Sequence, residues 1–249
     1  MTLQPINIAA HPNVRKLTKS EIKQFRNDGY VKSLPVFCPE STSILKQLFY
    51  ELVNSLPKEI DVNKTNSWHK ASRKFYRLCR TTSILDYVQD LIGPNFFQWG
   101  GQFFVKYPRD GSEVPWHQDS QYWPLSPQRT VTVWLAVFDT NEENAAMKIV
   151  KGSHKLGNLK HHENNEKHLV LNQEVDSGQI DSKNIKTIDL KSGEISLHDD
   201  GLLHGSGANN SEQMRAGITM RFAPTDVKCD LSVWPNFETS MARGIDKYK

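Results

Sequence analysis

The chain has 249 residues, 37% hydrophobic and 24% charged, enough to bury a sizeable core as one domain over 1–249. Its 31 basic and 28 acidic residues leave a net charge of only +3, which gives no electrostatic footprint for a nucleic acid. No apolar run reaches membrane-spanning length and none follows the N-terminus as an export signal, while Cys38, Cys79 and Cys229 are too few and too scattered for a disulfide framework, so a cytoplasmic protein with no membrane partner is expected.

In LTKSEIKQFRNDGY, Thr18 stands three residues before Glu21, the reciprocal cap of a helix start, and Asn27-Asp28-Gly29 ends that helix. From Ser41, the apolar positions Leu45, Leu48, Phe49, Leu52, Val53 and Leu56 recur at threes and fours, which predicts an amphipathic helix ended by Pro57. A third helix is predicted over 83–92, closed by Gly93-Pro94, so the part from about 17 to 95 reads as helical.

The texture then changes. QFFVKYP, TVTVWLAVF, MKIV, NIKTIDL, GEISLH and AGITMRFA are short β-rich runs parted by Gly, Pro, Asn and Asp. Without regular helices between them they predict a β barrel or jelly roll over about 97–225. The polar stretch 158–184 interrupts them and carries HHENNEKH; its His161, His162 and His168 offer possible ligands, but a solvated loop or lid is the expected reading.

Two His-x-Asp pairs compete for attention, His117 with Asp119 in PWHQDSQYW and His198 with Asp200 in SLHDDGLLHGSG. Such a pair arises readily by chance, and at most one need carry chemistry. Two histidines and one carboxylate on one face of Fe(II) leave three coordination positions open, as in non-haem iron oxygenases. His117, Asp119 and His204 meet that requirement, since residues i and i+2 of a strand point to one side. Zinc hydrolases use similar donors. Against them stands Arg215, eleven residues after His204, whose planar fork suits the far carboxylate of a chelating 2-oxo acid. On MRAGITMRF, Arg215, Gly217, Thr219 and Arg221 share one face, and apolar residues the other.

The order WHQD, TVWLAVFDTNEENAAMKIVKGSHKLG and GEISLHDDGLLHGSGANNSEQMRAGITMRF resembles the phytanoyl-CoA dioxygenase family over roughly Leu17 to Pro224. The resemblance implies a double-stranded β-helix, a jelly-roll fold of the cupin-like type, and dependence on Fe(II), 2-oxoglutarate and O₂. It implies that His117, Asp119 and His204 bind iron, that Arg215 holds 2-oxoglutarate, and that Ser206 and Trp134 lie near that co-substrate with Gln118 and Lys106 as further candidates. His198 falls outside the implied iron shell. A halogenating relative lacks the carboxylate; Asp119 is present, so hydroxylation of an unactivated C–H is implied. Two departures stand out: the usual Asn-Gly turn reads Asn144-Ala145, and Ile-Pro-Gly-Ser-His reads Ile149-Val150-Lys151-Gly152-Ser153-His154, which puts Lys151 in a loop expected near the pocket.

On the substrate side Trp116, Tyr122 and Trp123 frame the carboxylate ligand, and Arg221 is a second inward cation free to take a substrate anion. A small zwitterion such as 2-aminoethylphosphonate suits that set, with Arg221 for the anion and the rings for the ammonium group. The alternatives are an acyl-CoA, a secondary metabolite, or a barrel that binds a small ligand without turnover. The chain is expected as a monomer or homodimer.

Overall fold

The computed structural model describes residues 8–248. Helix α1, Lys19–Asp28, starts as expected: the Thr18 hydroxyl accepts from Glu21 N, the Glu21 carboxylate accepts from Thr18 N, and Gly29 caps the end. Helix α2, Thr42–Asn54, buries Leu45, Leu48, Phe49 and Leu52 on one face. Two short helices, α3 (Trp68–Ala71) and α4 (Arg73–Leu78), precede α5 (Thr82–Ile92). One or two turns repeat no apolar pattern, which is why the sequence periodicity does not show α3 and α4.

The strands are β1 (Tyr30–Pro35), β2 (Phe96–Lys106), β3 (Val114–His117), β4 (Leu125–Ser126), β5 (Val131–Ala136), β6 (Lys148–Val150), β7 (His161–Glu163), β8 (Gln173–Val175), β9 (Ile185–Thr187), β10 (Glu194–Asp199), β11 (His204–Ser206), β12 (Arg215–Pro224), β13 (Lys228–Cys229) and β14 (Ser240–Arg243). Six form one sheet in the order β1-β10-β5-β12-β2-β14, and four form a second in the order β3-β11-β6-β9. Among the described residues no strand pair joins these two sheets, so the expected barrel is two open sheets rather than a closed ring. Strand β1 corrects the reading of the N-terminal part as helical: it pairs with β10 and buries Val31 and Leu34.

The two faces of the large sheet do different work. Ala216, Ile218, Met220 and Phe222 of β12 join Leu45, Phe49 and Phe75 of the helices in the main core. On the opposite face Trp134 and Ala136 meet Met147 and Ile149, which belong to the small sheet or its approach. A polar cavity lies between the sheets, lined from β12 by Arg215, Thr219 and Arg221, as the alternation predicts. Segment 158–184 contains the β7–β8 hairpin, tied to the body by a bridge between Glu113 and Leu169. No helix of the described residues is long and apolar enough to cross a membrane, and the three cysteines are unpaired.

Candidate metal and co-substrate site

Strand pairing assembles the donors. His204 of β11 lies directly opposite His117 of β3, which brings their rings to 4.1 Å between centroids. Strand β3 ends at His117, but Gln118 stays extended, so the alternation carries through and Asp119 points to the same side before the chain turns. The nearest ligand atoms of His117, Asp119 and His204 all lie within 4.8 Å of one another, and all three residues are buried.

Hydrogen bonds fix what each donor offers. Nδ1 of His117 is 2.8 Å from Pro115 O, and Nδ1 of His204 is 2.8 Å from Leu202 O. A carbonyl only accepts, so each Nδ1 carries the proton and each Nε2 presents a lone pair, as a metal requires. Burial, reinforced by the neighbouring His117, pushes the His204 imidazole well below its usual pKa and keeps it neutral. Asp119 is pulled both ways: burial raises its pKa, but the surrounding His117, His198, His204 and Arg221 together outweigh burial and hold the carboxyl well below the usual range. Its Oδ2 accepts from Thr132 Oγ1 at 3.2 Å and lies 3.6 Å from His198 Nε2, while Oδ1 lies 3.7 Å from His117 Nε2. His198 therefore backs the carboxylate rather than joining the donor set. Its sequence partner Asp200 has another task, accepting Thr130 N at 2.8 Å, so the rival pair is divided between two structural roles.

In the cavity behind these donors, Arg215 is 3% exposed, and its Nε and Nη1 have no hydrogen-bond partner. Its guanidinium lies 4.9 Å from the Trp134 ring centre, and burial lowers its pKa to about 10, well above neutrality. Trp134 can lie flat there because residue 217 is glycine: a Cβ at that position would overlap the indole. Ser206 turns an unpartnered, buried Oγ into the same space. An orphaned cation and hydroxyl beside a three-donor face fit a metal ion and an anionic co-substrate.

Gln118 and Lys106 do not line this cavity. The Gln118 amide donates to Gly157 O and Gly201 O and accepts from Leu159 N, because alternation turns it away from its neighbours His117 and Asp119. The Lys106 ammonium has three donors, and all are spent on the carbonyls of Ser112, Ser206 and Gly207. Trp116 is likewise corrected: it alternates with His117, faces away from the donors, and packs with Val150, Val175 and Leu203. Lys151 lies 3.5 Å from Asp28 at the end of α1 rather than at the pocket. Among the described residues, His161, His162 and His168 form no donor cluster.

A larger cavity of about 730 Å³ opens from His117, Asp119 and Arg221 towards solvent. Trp99, Trp123, Trp234 and Phe237 wall it, with Val170 and Leu171 of segment 158–184 at its rim. The Arg221 guanidinium lies 5.2 Å from the Trp123 ring centre and 5.6 Å from that of Trp99. Tyr122 sets its ring against His117 and donates its hydroxyl to Gln173 O, joining the donor loop to the hairpin. Trp99, Trp234 and Phe237 were not expected from the sequence, nor was Thr132 in the inner cavity. Thr132 stands two places before Trp134 on one strand face and was within reach of strand alternation, whereas Trp234 and Phe237 follow the last periodic strand and carry no such signal.

Two antiparallel sheets around a buried His-x-Asp and His donor set define a cupin-like fold with a candidate metal centre. Residues 17–217 match the phytanoyl-CoA dioxygenase (PhyH) family, and the protein belongs to that family. It is 26% identical over 219 residues to the peroxisomal phytanoyl-CoA dioxygenase of Bos taurus, covering 86% of this chain and 64% of that one. The chain thus spans about two-thirds or less of the mammalian relatives' length. A probable alpha-ketoglutarate-dependent hypophosphite dioxygenase of Stutzerimonas stutzeri is 29% identical over 162 residues, 64% of this chain and 54% of that one. The apo non-haem monooxygenase ThoJ superposes with a TM-score of 0.75 at 25% identity, covering 90% of this chain and 84% of that one. CytC3 with Fe(II) and alpha-ketoglutarate gives 0.66 at 21% identity, covering 94% and 91%, and so shares the fold.

Proposed function

We propose that the protein is an Fe(II)- and 2-oxoglutarate-dependent oxygenase that hydroxylates an aliphatic C–H of a polar small molecule, on a fold we read as a double-stranded β-helix. The observation that carries the reading is the pairing, in one cavity, of a facial donor set with a buried, unpartnered Arg215. A zinc hydrolase needs the donors but not the clamp. Family membership and the co-substrate in the name of the hypophosphite relative support the same reading. Three unpaired cysteines suit a reducing compartment such as the cytoplasm.

His117, Asp119 and His204 would hold the iron, which supplies the oxidation of an unactivated C–H coupled to decarboxylation of 2-oxoglutarate. In sum, R–H, O₂ and 2-oxoglutarate become R–OH, succinate and CO₂, one oxygen atom entering each of the first two products. Within that reaction the protein supplies placement. Carbonyls of Pro115 and Leu202 hold the imidazoles in orientation, and Thr132 holds the carboxylate, with His198 3.6 Å behind it. Arg215 donates to the distal carboxylate of 2-oxoglutarate with Ser206 beside it, and Trp134 keeps water from that end. Arg221 is left for the substrate.

The zwitterion expectation keeps its anionic half and loses part of its cationic half, because Trp123 already carries the Arg221 guanidinium. Succinate release in the presence of Fe(II) and O₂ tests the assignment. The expected outcome is iron-dependent release stimulated by substrate; 2-oxoglutarate left untouched with iron bound would point to a non-catalytic binder.

A further inference from the structure

Arg221 is 8% exposed, and among the described residues no carboxylate forms an ion pair with it. Its Nε has no hydrogen-bond partner. Asp119, which lines the same space, is committed to the donor set. With its Nε buried and without an acceptor, the guanidinium stands at the inner end of a cavity that opens to solvent, and a charged partner for it has to come from what enters that cavity. Its position is built rather than incidental. Opposite it on β2 stands Gly100, where a Cβ would come 2.9 Å from Arg221 Cδ and force the arginine side chain to shift. Trp99 and Trp123 hold the guanidinium from the sides.

Arg221 lines both cavities together with His117 and Asp119, so it stands at the inner end of the larger one. Outward from it the walls are aromatic: Trp234 and Phe237 pack on Trp99 at 5.9 and 6.2 Å between ring centres. A volume of about 730 Å³ lies in the range of drug-sized ligands and far exceeds what a two-carbon zwitterion fills. A thioester carbonyl is neutral and does not balance a buried guanidinium, which argues against an acyl-CoA at this position.

We propose that the substrate is a free oxyanion, a carboxylate or a close analogue of one, with an aromatic or apolar body, bound anion-inward on Arg221 with its body between Trp99, Trp234 and Phe237. The proposal rests on the oxygenase reading for its catalytic meaning, but the binding mode is testable without turnover. Three cavity tryptophans make intrinsic fluorescence the readout, with the full chain held anaerobically under Fe(II) and saturating 2-oxoglutarate so that Arg215 is occupied. The probes are 4-phenylbutyrate, its primary amide and 2-aminoethylphosphonate.

The carboxylate is expected to quench saturably and the amide to bind about tenfold or more weakly, the size of a lost charge-assisted hydrogen bond. 2-Aminoethylphosphonate is expected to bind more weakly than 4-phenylbutyrate, lacking a body to fill the aromatic walls. Arg221→Gln should bring the carboxylate down to the amide's affinity, and Trp234→Ala should weaken both aryl probes alike. No saturable binding of either aryl probe, equal binding of carboxylate and amide by the wild type, a preference that survives Arg221→Gln, or tighter binding of 2-aminoethylphosphonate each overturns the proposal. The wild-type comparison stands if a variant fails to fold. Binding as expected under these anaerobic conditions, with no iron-dependent succinate release once O₂ is admitted, would sink the oxygenase reading and leave this one standing.

Discussion

Two imidazoles whose Nδ1–H groups are tied to carbonyls two residues back present their Nε2 atoms beside one buried carboxylate. Three protein ligands are few enough that each matters, so His117→Ala, Asp119→Ala and His204→Ala should each abolish stoichiometric Fe(II) binding, read by metal analysis after gel filtration. Asp200→Asn should keep the metal, because that carboxylate serves Thr130 N. Loss of iron from the Asp200 variant with retention in Asp119→Ala would exchange the two pairs. Arg215→Ala should leave iron bound but raise the KM for 2-oxoglutarate roughly 30-fold or more, since truncating one partner of a buried charged pair costs about 2–5 kcal/mol. An unchanged KM would remove the clamp.

Among the elements, α1 and the turn before β6 carry separable contributions to stability. Arg15 and the Thr18 cap hold the Glu21 carboxyl down at about 2 against an ordinary 4.5. A depressed folded-state value means the contribution is present above the unfolded pKa and fades as pH falls through the folded one. The stability difference between wild type and Glu21→Gln, read by urea denaturation, should therefore be constant above about pH 5 and shrink from about 4.5 towards 2; a difference that does not change over that window would contradict the cap. In the turn, Ala145 sits at φ 63°, where the family's usual pattern has glycine. Ala145→Gly should stabilise the protein by about 0.5–1 kcal/mol by removing Cβ strain, and a loss of stability would show that the buried methyl outweighs it. Helix α2 was legible because its apolar period repeats, whereas α3 and α4 are too short for a period to show; β1 (YVKSLP) and β14 (SMAR) carry no β-rich run like those of the other strands. The His117, Asp119 and His204 set was legible from strand alternation and motif order, but whether Trp116 or Gln118 faced inward was not. That depended on where β3 stopped and which way its last residues pointed.

For the whole molecule, the large sheet separates a hydrophobic helix-facing side from a polar cavity that stores unpartnered donors. Such a cavity is stabilised by what fills it. Saturation at about a hundred times Kd with 2-oxoglutarate, in the presence of metal, should add about 2.7 kcal/mol, or of order 5–10 °C in Tm, to the wild type and little to Arg215→Ala. An equal shift in both proteins would place the co-substrate elsewhere. The polar face of β12 followed from the sequence, whereas the order of strands in the sheets and the cavity's aromatic mouth did not; Trp99 and Trp234 come from separated segments that only folding brings together. The central claim is that this cavity couples O₂ to 2-oxoglutarate, and its most direct test is mass spectrometry of the succinate formed under ¹⁸O₂ with Fe(II). The expected result is one ¹⁸O atom in each succinate from the wild type and no succinate from Asp119→Ala; unlabelled succinate, or equal formation by both proteins, would contradict it.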